Sequence, residues 1–99
     1  MELLNVQALQ RAIRKHRVTE SWLKQWALAV EHASWQSLKD VRQQYPSADG
    51  VPLKNVVVTV FNVKGNEFRL LTIIHYARQQ VYVLDVLTHA EYGKGQWKV

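Results

Sequence analysis

The chain of 99 residues contains no cysteine. That absence excludes a disulfide framework, a thiol nucleophile and any cysteine-ligated zinc or iron–sulfur site. It fits a reducing compartment. No apolar run approaches the roughly 18 residues that a membrane helix needs. The opening Met1-Glu2-Leu3-Leu4-Asn5 has neither the basic start nor the apolar core of a secretion signal. A cytoplasmic protein is therefore expected. Only four glycines occur, and Gly65 stands alone in a turn, so there is no glycine-rich loop to cradle phosphate. The four histidines lack HxxxH spacing, and neither a metal nor a cofactor is expected. No nucleophile-elbow sequence supports serine chemistry.

Positive charge is plentiful. Thirteen Lys and Arg against eight Asp and Glu leave a net charge of +5. A domain this small and basic attracts polyanions, nucleic acid first among them. With 47% hydrophobic and 10% aromatic residues, the chain can build one core, and residues 1–99 are read as one domain.

The first half is patterned for helices. Val6, Leu9 or Gln10, and Ile13, with Ala8 and Ala12 between them, give helical spacing up to about His16. Arg14-Lys15-His16-Arg17 closes that helix, where cations suit its dipole. Thr19 is positioned to cap a second helix, with Glu20 in its first turn. Trp22, Trp26, Ala29 or Val30, and Ala33 then form a stripe, widened by Leu23 and Ala27. Two tryptophans one turn apart read as core packing, with base stacking the lesser alternative. Trp35 to Arg42 suggests a short third helix, which Tyr45-Pro46-Ser47-Ala48-Asp49-Gly50 ends in a turn-rich loop.

Beyond Pro52 the period becomes that of strands. Val56 to Val63, Phe68 to Tyr76 and Val81 to Leu87 predict an antiparallel meander. Lys64-Gly65-Asn66 makes the first turn, because Gly and Asn tolerate positive φ. Arg78-Gln79-Gln80 makes the second. Leu3-Leu4 can add a short edge strand, and Thr88 can cap a short last helix weakened by Gly93 and Gly95. The expected fold is α+β: N-terminal helices on one face of a twisted antiparallel three- to four-stranded sheet, leaving the other face free for function.

Alternation along the second strand puts Phe68, Leu70, Thr72, Ile74 and Tyr76 toward the helices and Arg69, Leu71, Ile73 and His75 away from them. An arginine in an apolar strand suits a phosphate or carboxylate. The competing explanation is an ion pair with Asp85 on the next strand. Thr88-His89-Ala90-Glu91-Tyr92 delivers an imidazole and a phenol together at a strand end, with Lys94 and Lys98 beyond.

These segments carry a resemblance. Phe61-Asn62-Val63-Lys64-Gly65-Asn66-Glu67-Phe68-Arg69-Leu70 resembles the central hairpin of HigB-type toxins, a group of RelE-like mRNA interferases. Thr88-His89-Ala90-Glu91-Tyr92 resembles their C-terminal motif, and Trp35 to Arg42 with Tyr45 to Asp49 their helix-to-sheet connection. The resemblance implies a RelE-like fold and an endoribonuclease that cuts mRNA, in many relatives on translating ribosomes. It also implies a HigA-like helix-turn-helix antitoxin as partner. Arg69 is then the expected phosphate clamp, and His89 and Tyr92 are the proton-transfer candidates. Lys54, Lys94, Arg42 and Lys98 are expected to hold RNA. Where relatives commonly carry Asp after the motif tyrosine, this chain has Gly93, which puts its activity in question.

Two other functions remain in competition. A non-catalytic RNA-binding domain would expose Phe68 and Tyr76 for base stacking. A pure protein-interaction module would leave Arg69, His89 and Tyr92 apart.

Overall fold

A computed structural model describes residues 1–98. In chain order they form β1 (Glu2–Leu4), α1 (Val6–Lys15), α2 (Glu20–His32), α3 (Leu38–Gln44), β2 (Asp49–Pro52), β3 (Val57–Val63), β4 (Phe68–His75), β5 (Gln80–Thr88) and α4 (His89–Lys94). The class is α+β, as the pattern predicts. The sheet has five strands in the order β1-β5-β4-β3-β2. It is mixed rather than wholly antiparallel, because β1 runs parallel to β5 at one edge. The extra strand is β2, in a stretch that reads as turn chemistry. Its Pro52 is tolerated because β2 is an edge strand with only one partner.

Helical spacing sets what α1 and α2 bury. Ala8, Leu9 and Ala12 of α1 and Leu23, Trp26 and Val30 of α2 lie in the main core. They meet Phe61, Val63, Phe68, Leu70, Val81 and Val83 from one sheet face. Phe61 is the hub, with ring centroids of Trp26 and Tyr45 each 5.4 Å away and Trp35 at 6.3 Å. Thr19 precedes α2, but its hydroxyl donates to the His16 carbonyl instead of capping the helix.

The expected division of β4 into two faces is realised on β3 and β4. On β5 it is interrupted. Leu71 pairs with Asp85 and Thr72 with Val83, so Leu84 is an extra residue bulged out of the ladder. Val81, Val83 and Val86 consequently share the helix side, while Leu84 and Leu87 join Val58, Val60 and Leu71 on the other. That second face is not free. Tyr92 and Trp97 from the C-terminal segment pack onto it.

The β3–β4 turn also differs in detail. Lys64 (φ 51°) and Gly65 (φ 66°) take the left-handed conformation, and Asn66 does not. Asn66 has a different task, set by Arg69.

Candidate active site

Arg69 lies at the start of β4, beside the turn, on the face opposite the helices. It is only 8% exposed. Its Nη1 donates to the carbonyls of Asn66 (3.2 Å) and Phe68 (3.1 Å). Its Nη2 donates to Asn66 Oδ1 (2.7 Å) and His89 Nδ1 (3.1 Å). The Tyr92 ring lies against the guanidinium, with Cζ 5.6 Å from the ring centroid. A buried cation is costly unless its donors are satisfied. Here neutral acceptors and a π face take up its terminal donors, and among the described residues no carboxylate pairs with the charge.

The ion pair with Asp85 does not form. The ladder sets Arg69 opposite Leu87 and Asp85 opposite Leu71, two pairs further along the same face. The Asp85 carboxylate instead accepts from the Val86 N–H at 2.8 Å. Among the described residues the ion pairs are Lys24–Glu20 and Arg42–Asp49, both away from Arg69.

His89 is delivered by α4, whose start is closely specified. Thr88 accepts from the Glu91 N–H, and Glu91 accepts from the Thr88 N–H at 2.9 Å, a reciprocal capping box. The Thr88 N–H holds the Glu91 carboxyl below the usual carboxylate range, with smaller help from the Thr88 hydroxyl, Lys15 and His16. The His89 N–H donates to the Glu67 carbonyl, which ties α4 to the β3–β4 turn. Because arginine has donors only, His89 Nδ1 must accept, and the ring hydrogen sits on Nε2. The ring is exposed.

Tyr92, one turn further, is half-buried and stacked on Trp97 at 5.1 Å and 17°. The Trp97 indole N–H donates to the Tyr92 carbonyl (3.0 Å), and Lys98 Nζ lies 5.5 Å from the Trp97 ring centroid. Gly95, at φ 73°, turns the chain from α4 into this segment. In the sequence Asn66 is marked only as a turn residue, and Trp97 carries no motif. The one signal for Trp97 is an aromatic in the otherwise polar tail Gly95-Gln96-Trp97-Lys98.

The basic candidates are spread more widely. Lys94 is exposed and lines, with Leu87, Gln96 and Trp97, a cavity of about 370 Å³ beside the cluster. Lys98 reaches the cluster through Trp97, and Lys54 is exposed in the loop after β2. Arg42 braces α3 against β2, donating to the Ala48 carbonyl (2.8 Å) and Asp49 (3.3 Å). Arg69, His89 and Tyr92 thus converge, contrary to what an interaction module requires. Phe68 is buried against His16, and Tyr76 is half-buried against the main core, so neither offers a base-stacking surface of the kind a sheet-face RNA binder needs.

The sequence matches known proteins over most of its length. The chain is 27% identical over 92 residues to the mRNA interferase toxin HigB of Escherichia coli K12, covering 93% of this chain and 88% of that protein. Proteins called mRNA interferase HigB in E. coli O157:H7 and Shigella flexneri match to the same extent. The HigB toxin family, described as the RelE-like toxic component of a toxin–antitoxin system, matches residues 19–95, so this chain belongs to that family.

Proposed function

We propose that this chain is an mRNA interferase, cutting mRNA on the ribosome in the cytoplasm and arresting growth until a HigA-like helix-turn-helix antitoxin binds it. The observation that carries the reading is the Arg69 guanidinium, buried and paired with no carboxylate among the described residues, held between Asn66 and His89 over Tyr92. A fixed cation of this kind matches the charge that grows on a phosphate under attack.

The proposed reaction is a transesterification. The ribose 2′-oxygen attacks the adjacent phosphorus and the bond to the 5′-oxygen breaks, leaving a 2′,3′-cyclic phosphate and a 5′-hydroxyl. One proton leaves the 2′-hydroxyl and one reaches the departing 5′-oxygen. Arg69 steadies the phosphorane charge, so the mechanism needs no metal. With its hydrogen on Nε2, His89 presents a donor and serves the phosphate or the leaving oxygen. Tyr92 is the candidate for the other proton transfer. Lys54, Lys94 and Lys98 hold the flanking backbone, and Arg42 contributes charge further out.

The test is induction of the chain in cells with sequencing of RNA 5′ ends, beside a His89→Ala form. His89 is exposed, so its loss leaves the core intact. New ends in translated mRNAs that disappear in the variant and on antitoxin co-expression support the reading. Intact RNA from folded, unpartnered protein overturns it. Repeating the assay with purified ribosomes and with free RNA decides ribosome dependence.

A further inference from the structure

Beside the Arg69 cluster, on the far side of the β3–β4 turn, lies an open groove of about 490 Å³. Its walls include Trp22 of α2, Gln44 and Tyr45 at the end of α3, Asn62 of β3 and Asn66 of the turn. Two of these residues connect it to the candidate active site. Asn62 is the cross-strand partner of Arg69, and Asn66 accepts hydrogen bonds from both terminal nitrogens of the Arg69 guanidinium. A phosphate at Arg69 therefore has a neighbouring nucleotide within reach of the groove.

The chemistry of the walls is that of a nucleobase site. Trp22 and Tyr45 are half-buried, with ring centroids 5.9 Å apart. Tyr45 is held edge-on to Phe61 at 90° and to Trp35 at 85°, so the aromatic wall is anchored in the core. Trp26, one turn after Trp22, is wholly buried, which leaves Trp22 as the member of the pair that reaches the surface. At the rim stands the side-chain amide of Gln44, which offers both donors and acceptors, while Asn62 and Asn66 line the wall toward Arg69. The volume falls in the range of about 300–1,000 Å³ usual for small-ligand sites. The rings supply stacking that tolerates any base, and the Gln44 amide supplies hydrogen bonds that discriminate among them.

We propose that this groove binds the base of a nucleotide next to the scissile phosphate, stacking it on Trp22 and Tyr45 and reading its edge with Gln44. The proposal rests on RNA being the substrate, as argued above. It assigns part of the substrate selectivity to a site on the helix side of the hairpin, outside the Arg69, His89 and Tyr92 cluster.

The experiment measures binding without cleavage. Labelled short RNAs made uncleavable by 2′-deoxy substitution, each with one abasic position, are titrated by fluorescence anisotropy against the wild type, Trp22→Leu and Gln44→Ala. Base stacking is worth about 1–3 kcal/mol, or roughly 5- to 150-fold. The wild type should lose affinity by a factor in that range at one abasic position. Trp22→Leu should bind the complete RNA correspondingly less well and lose nothing more at that position. Gln44 is exposed, so Gln44→Ala keeps the fold and should change the base preference there while retaining the abasic penalty. Equal abasic penalties in wild type and Trp22→Leu, with base preference unchanged in Gln44→Ala, overturn the groove even if the wild type cuts RNA. No binding to any of the RNAs overturns it as well. Coupled binding without cleavage of the unmodified RNA sinks the enzyme and leaves the subsite standing.

Discussion

Arg69 and His89, 20 residues apart, meet side chain to side chain, with Nη2 donating to Nδ1 at 3.1 Å. Two separate constraints bring them together. Arg69 is fixed by the turn through Asn66, and His89 by the Thr88–Glu91 cap and the Glu67 carbonyl. The contact orients the imidazole and defines which nitrogen carries hydrogen.

Arg69→Lys tests that contact. A lysine keeps the charge but loses the planar fork that spans Asn66 and His89 together. Removing one preorganised donor of this type costs about 10²–10³-fold in turnover. Cleavage by purified Arg69→Lys should fall by that factor, with circular dichroism unchanged. Near-wild-type turnover would remove the clamp role.

His89→Ala should lower cleavage by about 10²–10⁴-fold, the usual contribution of a positioned proton donor or acceptor. Because the ring is exposed, the melting temperature should barely move. A matching loss of stability and activity would mean instead that His89 acts by holding α4 in place.

Glu91 makes the site's geometry sensitive to pH. Its carboxyl is held low chiefly by the Thr88 N–H, so the folded value lies below that of the unfolded chain, about 4.3. The stabilisation is therefore present above that pH and fades as pH falls through the folded value. The cap of α4 should loosen in acid, and His89 with it. The Thr88 amide resonance followed down the pH scale should titrate in the wild type and stay flat in Glu91→Gln. A titration that persists in Glu91→Gln would assign it to another group.

Much of this arrangement is legible in the sequence, for identifiable reasons. Val57 to Val63 and Phe68 to His75 are rich in β-branched and aromatic residues, so β3 and β4 follow from composition, and side-chain alternation along β4 then sets Arg69 on the non-helical face. Asp49-Gly50-Val51-Pro52 looks like a turn because local chemistry favours one, yet pairing with β3 makes it a strand. Gly50 suits it, since an added Cβ would lie 3.2 Å from Leu38 Cδ2. The register of β5 leaves no mark in the sequence, so Asp85 passes for a partner of Arg69 where Leu87 holds that place. Arg69, His89 and Tyr92 stand out by residue type and by resemblance. Asn66 is hidden among ordinary turn residues, and Trp97 becomes significant only when it stacks on Tyr92.

The core gives a sharper stability test than the surface. Phe61 is 1% exposed and touches Trp26, Trp35 and Tyr45. Phe61→Ala should cost about 3–5 kcal/mol, against a total of about 5–15 kcal/mol for a typical domain. Urea unfolding should show the midpoint falling with an unchanged slope. A loss below about 1 kcal/mol, the scale of an ordinary substitution, would contradict the hub role.

Gly93 decides whether the chain is an attenuated toxin. It lies within α4, four residues after His89 and so on the same side of the helix. An added Cβ meets nothing within 4 Å, and φ is not positive, so the position accepts any side chain. Two effects of substitution must be separated. Alanine for glycine inside a helix is worth about 0.8–1 kcal/mol, which would steady α4 and with it His89 and Tyr92. Aspartate adds to a smaller propensity gain a carboxylate one turn from the imidazole. Growth arrest after induction should be compared among the wild type, Gly93→Ala and Gly93→Asp. Stronger arrest by Asp alone indicates a carboxylate acting on His89. Stronger arrest by both variants indicates that helix stiffness limits activity. Equal arrest by all three removes the idea that Gly93 weakens the toxin.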